Sequence, residues 1–312
     1  MIDAPSSTFF TYAPHWRWWI VLYFFFGGLA AGSYFLAAMI DVFGRREDRP
    51  LARLGYYIAF PLVSLCGVLL ILDLSRPLRF WHMLIERNTF EPMFKYWSPM
   101  SIGSWALLIF GGLTFLSFVA ALAEDDEMRE RWPLLRRAPV PWHAARRLRP
   151  PSIVGVVIAV LGGIAGFYIA SYTGVLLAVT NRPIWSDTPL LGMLFVVSAA
   201  STSAALLILL AHRFGWRMRA VHDLDRMDAW VIALELVVLV AVIISLGPVL
   251  RAWVNAWGLL LVVGVVIPGL LVPLVAAWQP RRLSLRATTS AVLVLIGGFL
   301  LRVVVVLSSE AV

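Results

Sequence analysis

Residues 152–180 read SIVGVVIAVLGGIAGFYIASYTGVLLAVT, 29 consecutive positions without a charged side chain. As a helix this run is about 43 Å long at 1.5 Å per residue, while the hydrocarbon of a bilayer is about 30 Å thick. A soluble surface helix of that length keeps a polar face for water, and this one has none. Barrel strands run to about ten residues and alternate strictly, which this run does not. It reads as a tilted helix crossing a membrane, with its backbone groups bonded internally because lipid offers them no partner.

Working outward, runs of the same kind recur at 18–40, 54–72, 98–123, 189–211, 229–248, 252–278 and 287–309. The chain is 61% hydrophobic and only 14% charged, against about 25% charged in ordinary soluble domains. Its longest polar stretch, Glu124–Pro150, has 27 residues and leaves no room for a separate soluble domain. We expect an all-α integral membrane protein with eight transmembrane helices forming two four-helix bundles, one over residues 18–180 and one over 181–312. The segment 1–17 precedes them; it lacks the basic start of a cleaved signal, so the first run is expected to stay in the membrane.

The charge pattern gives an orientation. The net charge of +8 does not point to nucleic acid, because the arginines sit in short loops between spans. The loops after spans 1, 3, 5 and 7 carry 18 Lys and Arg, among them Arg136, Arg137, Arg217, Arg281 and Arg282; the other side carries seven. The positive-inside rule makes the 18-residue side cytoplasmic. Both termini are therefore expected to be extracytoplasmic, in a bacterial inner membrane. Within the spans, Gly27-Gly28, Gly32, Gly111-Gly112, Gly162-Gly163, Gly166 and Gly297-Gly298 are expected to let helices approach closely. Pro61, Pro268 and Pro273 are expected to kink spans 2 and 7.

Several chemistries are excluded. Cys66 is the sole cysteine, so the chain holds no disulfide, no Cys-ligated iron–sulfur cluster and no covalent c-type haem. The histidines, His15, His82, His143, His212 and His222, lie at or beyond span ends, where they do not make a bis-histidine haem. There is no phosphate loop, dinucleotide fingerprint or zinc-protease motif.

Two outer stretches carry unusual polar residues. The first is Leu72-Asp73-Leu74-Ser75-Arg76-Pro77-Leu78-Arg79-Phe80-Trp81-His82-Met83. An acid at a membrane boundary is costly and marks a functional site by default. Asp73 and His82 are candidates to relay protons, with Arg76 and Arg79 beside them. The competing reading is an Asp73–Arg76 or Asp73–Arg79 pair that fixes the loop. The second stretch runs from Ala170-Ser171-Tyr172-Thr173-Gly174 to Asn181-Arg182-Pro183-Ile184-Trp185-Ser186-Asp187. Tyr172 is either a hydroxyl donor for a ligand carbonyl or a structural tyrosine bonded to a neighbouring helix. Arg182 and Asp187 read as an interfacial ion pair. Tyr23, about one turn inside span 1, lies at the level of Asp73, whereas Tyr34 reads as packing. Glu235, Arg302 and Asp41 are further ionisable residues within spans, candidates for a proton path or for internal pairs; Asp41 is expected to face Arg45 or Arg46.

On these residues the chain resembles the NrfD/polysulfide reductase membrane-subunit family. The resemblance rests on Gly27-Gly28-Leu29-Ala30-Ala31-Gly32, on Asp73 through His82, and on Ser171-Tyr172-Thr173-Gly174 leading to Asn181-Arg182-Pro183-Ile184-Trp185. It implies a haem-free membrane anchor that binds menaquinone or ubiquinone near the outer face. It also implies an iron–sulfur ferredoxin-like partner on that extracytoplasmic face and a molybdopterin catalytic subunit beyond it. In the polysulfide reductase branch a tyrosine of the S-Y-x-G segment meets the quinone head, which falls on Tyr172; Asp73 and His82 take the places of the family's acid and loop histidine. The branch's span 1 asparagine and histidine fall on Ile20 and Tyr23, a departure. The expected site is therefore Tyr23, Asp73 and Tyr172, with Arg76, Arg79, His82, Asn181 and Arg182 at its rim. Three rivals remain: an anchor without a quinone, a redox-driven proton pump using Glu235, Arg302 and Asp41, and a secondary transporter.

Overall fold

The computed structural model describes residues 16–131, 141–216, 218–279 and 286–311. Arg136, Arg137, Arg217, Arg281, Arg282 and His15 lie outside the described residues. Eight helices among those described are long and apolar enough to cross a membrane: α1 (Trp18–Phe43), α2 (Arg49–Asp73), α3 (Pro99–Glu124), α4 (Ile153–Ala178), α5 (Leu191–Arg213), α6 (Arg219–Ser245), α7 (Ala256–Trp278) and α8 (Ala287–Leu307). No strand forms among these residues; Ile85 and Pro92 make one isolated antiparallel bridge.

Two helices start earlier than hydropathy alone indicates. α2 begins at Arg49, with Pro50 in its first turn, where a missing N–H costs nothing. α6 begins at Arg219, about three turns before its apolar run. Val221, Leu224 and Asp228 continue its buried face through a charged segment, so the period carries on where hydropathy falls. Pro61 is absorbed within α2. Pro268 falls in a π-helical stretch of α7, Leu261–Leu271, and Pro273 opens the α-helical turns that follow. A widened helix is one way of accommodating a proline's lost hydrogen bond.

α1 is the hub: it packs on α2, α4 and α5 and touches α8. α3 closes the first group against α2 and α4. α5 joins α6 and α8, and α7 lies on α8. Close approach depends on small residues. A Cβ on Gly32 would lie 2.7 Å from the Ala199 carbonyl oxygen, and one on Gly297 would lie 2.6 Å from Gly269 Cα. Gly111 and Gly112 depart from the expectation, with nothing within 4 Å of a built Cβ. Tyr34 is a packing residue: its hydroxyl meets Ser117 Oγ at 2.7 Å and donates to the Ile158 carbonyl at 3.2 Å, tying α1 to α3 and α4.

Contacts between loops define two faces. On one, Asp48 accepts from Ala220 N at 3.4 Å and Arg49 donates to the Pro150 carbonyl, so the loops after α1, α3 and α5 meet. This is the arginine-rich face. On the other, Trp16 stacks on Trp185 at 5.5 Å, Trp185 Nε1 donates to the Val305 carbonyl at 2.7 Å, and Trp253 Nε1 donates to Ser308 Oγ at 2.9 Å. Trp16 and Ser308, near the two ends of the described residues, thus share the second face.

Candidate functional site

The residues expected to form the site lie toward the second face, on α1, α2 and α4 and the loops that follow α2 and α4. Tyr23 and Tyr172 are buried in one apolar cluster with Trp16, Cys66, Leu69 and Trp185. Leu69 leads to Asp73 one turn later on the same side of α2. The two phenols are not equivalent. Tyr172 Oη donates to the Pro99 carbonyl at 2.8 Å, and its ring stacks on Tyr168 at 5.8 Å. Gly103 makes room for it; a Cβ there would collide with the Tyr172 hydroxyl and ring. The Tyr172 proton is therefore engaged with the start of α3, although the oxygen keeps a lone pair. Tyr23 has no hydrogen bond to its hydroxyl among the described residues; only its backbone carbonyl is used, accepting from Cys66 Sγ at 3.8 Å.

Asp73 ends α2 partly exposed, and no ion pair or hydrogen bond reaches its carboxylate among the described residues. Neither the Asp73–Arg76 nor the Asp73–Arg79 pair forms. Arg76 and Arg79 stand exposed at the two ends of a 3₁₀ turn's first bond, Arg79 N donating to Arg76 O at 3.0 Å. His82 lies half-buried in that turn, Pro77–Met83, with its ring edge-on to Trp81 at 4.0 Å. The chain then folds back through Met93 N, which donates to the Leu84 carbonyl at 2.8 Å. Trp105 Nε1 donates to the Met93 carbonyl at 3.1 Å, which fastens this loop to α3. Its outer surface is unusually apolar: Leu78 is 90% exposed and Tyr96 74%.

Arg182 and Asn181 stand apart from Asp73. Asn181 is exposed. Arg182 is buried, lies over the Trp185 ring at 5.8 Å and donates to the Ser309 carbonyl at 3.5 Å. It belongs to the aromatic clamp that joins the α4–α5 loop to the end of α8. The Asp187 carboxylate is engaged within its own loop: it accepts from Ile184 N at 2.8 Å, which stabilises a turn where Ile184 takes φ 70°.

The three internal ionisable residues fall into two places. Asp41 faces neither Arg45 nor Arg46. It receives both branches of the Arg149 guanidinium, at 2.6 and 2.8 Å, with side chains 0% and 1% exposed. Arg149 also meets Glu124 at 2.6 Å. Asp41 lies inside the arginine-rich end of α1, so a partner 108 residues away fits where the adjacent loop does not reach; Arg45 turns to Glu47 instead. Burial alone disfavours the charged guanidinium, but the hydrogen bonds and charge of Asp41 and the charge of Glu124 hold Arg149 above its ordinary pKa. Glu235 of α6 and Arg302 of α8, by contrast, are buried within their helices and both face Ser198 of α5. Arg149, Ser198, Ser201 and Asp228 are participants that the sequence did not single out. For Asp228 a signal existed: it lies seven residues before Glu235, two turns along one helix face. Among the described residues no group of His, Cys, Asp and Glu has the arrangement of a metal site.

A family model described as "Polysulphide reductase, NrfD" matches residues 7–312 of this protein. A polysulfide reductase polypeptide of Wolinella succinogenes is 30% identical over 220 residues, 67% of the present sequence and 64% of its own. A selenate reductase polypeptide of Mesobacillus selenatarsenatis is 34% identical over 122 residues, 39% of the present sequence and 24% of its own. The match thus spans less than two thirds of the length of these two relatives. Protein NrfD of Escherichia coli is 26% identical over 311 residues, 92% of each sequence.

Proposed function

The chain belongs to the NrfD polysulphide reductase family of multi-pass membrane proteins, and from that premise we propose that it is the quinone-binding membrane anchor of a respiratory molybdopterin and iron–sulfur oxidoreductase. What supports this reading is that the Tyr23 hydroxyl and the Asp73 carboxylate each lack a hydrogen-bond partner among the described residues, on two helices, α1 and α2, that pack together, with Leu69 one turn before Asp73 in the apolar cluster that holds Tyr23. An unpartnered buried or half-buried polar group is costly and calls for a ligand or water. The apolar cluster suits a quinone's ring and tail. Tyr23 donates to a ring carbonyl; the Tyr172 ring, its hydroxyl proton held by Pro99, stands beside it as a wall. When bound, the quinone supplies two-electron, two-proton redox chemistry. Asp73 holds and passes the proton at its carboxylate oxygen, and half-buried His82 connects it to water. The exposed Arg76 and Arg79 hold the rim, whereas Asn181 and Arg182 shape the neighbouring loop.

The same face suits a docked iron–sulfur subunit, with the molybdopterin subunit beyond it. Its rim is an exposed aromatic and arginine-bearing loop tied to α3 through Trp105. The 18-to-seven charge asymmetry supports an extracytoplasmic position for this face, in a bacterial inner membrane. Replacing Asp73 by Asn tests the reading in the assembled complex. Quinone-linked turnover is expected to fall at least tenfold while the soluble subunits keep their activity with artificial acceptors. Unchanged quinone-linked turnover contradicts the role of Asp73, and loss of assembly is checked separately by co-purification.

A further inference from the structure

The arginine-rich face holds a cavity of about 240 Å³ between the first turns of α2, the end of α3 and the loop after α5. It lies about 30 Å along α2 from Asp73. Its volume is below the roughly 300–1,000 Å³ of sites for drug-sized ligands, so it suits a small group. Arg53, Tyr57, Asp125, Glu127, Arg131 and Trp216 line it. Arg53 Nη1 lies 3.7 Å from Asp125, and Tyr57 Oη donates to Asp125 Oδ2 at 3.1 Å. Glu127 and Arg131 are exposed, and no ion pair or hydrogen bond reaches either side chain among the described residues. Phe214 backs Trp216, ring to ring at 5.4 Å.

Two guanidinium groups and two carboxylates line this cavity, so its charges balance although the face around it is basic. A simple anion meets the arginines favourably and the acids unfavourably, whereas a group carrying both a phosphate and an ammonium matches both. An ammonium also suits the face of an indole ring. From the cavity a seam of rings runs between α2 and α3 toward the hydrocarbon. Tyr57 meets Phe118 at 5.7 Å, and Phe60 meets Phe118 and Phe115, each at 5.2 Å. Deeper on the same faces stand Gly67 of α2, two turns after Phe60, and Gly111 of α3, one turn before Phe115. A Cβ built on either glycine has nothing within 4 Å. The seam thus passes from rings to bare backbone, a bed for an acyl chain that a water-soluble phosphate compound would leave unused.

We propose that the cavity and the seam below it bind one phospholipid with a phosphoethanolamine headgroup. Its phosphate sits on Arg53 and Arg131, its ammonium on Glu127 against Trp216, and an acyl chain lies along Tyr57, Phe60, Phe115 and Phe118. The lipid fastens the loop after α5 to the ends of α2 and α3 at the level where headgroups lie. The site is independent of the quinone reading, and its test contains no quinone.

The test is native mass spectrometry of the full chain, stripped of lipid in detergent and titrated with palmitoyl-oleoyl phosphatidylethanolamine or the matching phosphatidylglycerol. One ethanolamine lipid per chain is expected to bind at least fivefold more tightly than the glycerol lipid. Glu127→Gln is expected to remove that preference, and Arg131→Gln to weaken both lipids at least threefold. Both side chains are exposed and unpartnered, so neither change threatens the fold. Glycerophosphoethanolamine, the headgroup without its chains, is expected not to displace the lipid at equal concentration. Equal or reversed preference in the unaltered chain overturns the proposal, as does a preference that survives Glu127→Gln or binding that Arg131→Gln leaves unchanged. Displacement by the headgroup alone at equal concentration also overturns it, and points to a soluble phosphate compound instead.

Discussion

Tyr23 and Tyr172 have the same chemistry and opposite situations, and their replacement by Phe separates ligand binding from structure. Tyr172→Phe removes the bond to Pro99 and is expected to lower the stability of the detergent-solubilised chain by about 1 kcal/mol. Tyr23→Phe removes a hydroxyl that bonds nothing among the described residues, so thermal unfolding should hardly change. Binding of a quinone analogue should weaken about fivefold, the worth of one hydrogen bond of about 1 kcal/mol. Equal loss of stability in both variants would contradict this division. At the arginine-rich face, Arg149→Met leaves Asp41 buried without its partner and is expected to destabilise the fold by about 3–5 kcal/mol, read as a lowered unfolding midpoint. Asp73, Tyr23 and Tyr172 are legible in the sequence because an acid or a phenol stands out in an oily run. The partner of Asp41 is not: a helix end names its sequence neighbours, Arg45 and Arg46, and says nothing of a guanidinium 108 residues on.

Among the elements, spans are legible wherever membrane and helix coincide, and less so where they do not. Hydropathy finds α4 to within two residues at each end, since lipid excludes every other reading of 152–180. It finds α6 about ten residues late, because the first three turns of that helix carry charges and leave the hydrocarbon. That late start hides Asp228, a buried acid on the same face as Glu235. The close crossing of α7 and α8 rests on Gly269 facing Gly297. Gly297→Leu is expected to force the helices apart and lower the yield of folded chain by at least several-fold, whereas Gly111→Leu, facing open space, should be tolerated. Fluorescence-detected size exclusion of the two variants distinguishes them; equal behaviour would show that contact at the glycine is immaterial to packing here.

For the molecule as a whole, the two faces divide the labour. One face is laced by arginine: Arg149 to Asp41 and Glu124, Arg49 to Pro150, Arg53 to Asp125 at 3.7 Å. The other is laced by tryptophan and carries the proposed site of Tyr23 and Asp73. The even number of spans and the charge bias together favour a site on the outside; a reporter fused at residue 312 is expected to be active only if it functions extracytoplasmically. The central claim, that this site holds a quinone, is tested most directly by photolabelling the assembled complex with an azido-quinone and mapping the modified peptides. Labels are expected to concentrate on Ile20–Phe24 and Leu69–Asp73 and to diminish with excess native quinone. Labels spread over the lipid-facing surfaces of α3 and α7, and unaffected by competition, would contradict it.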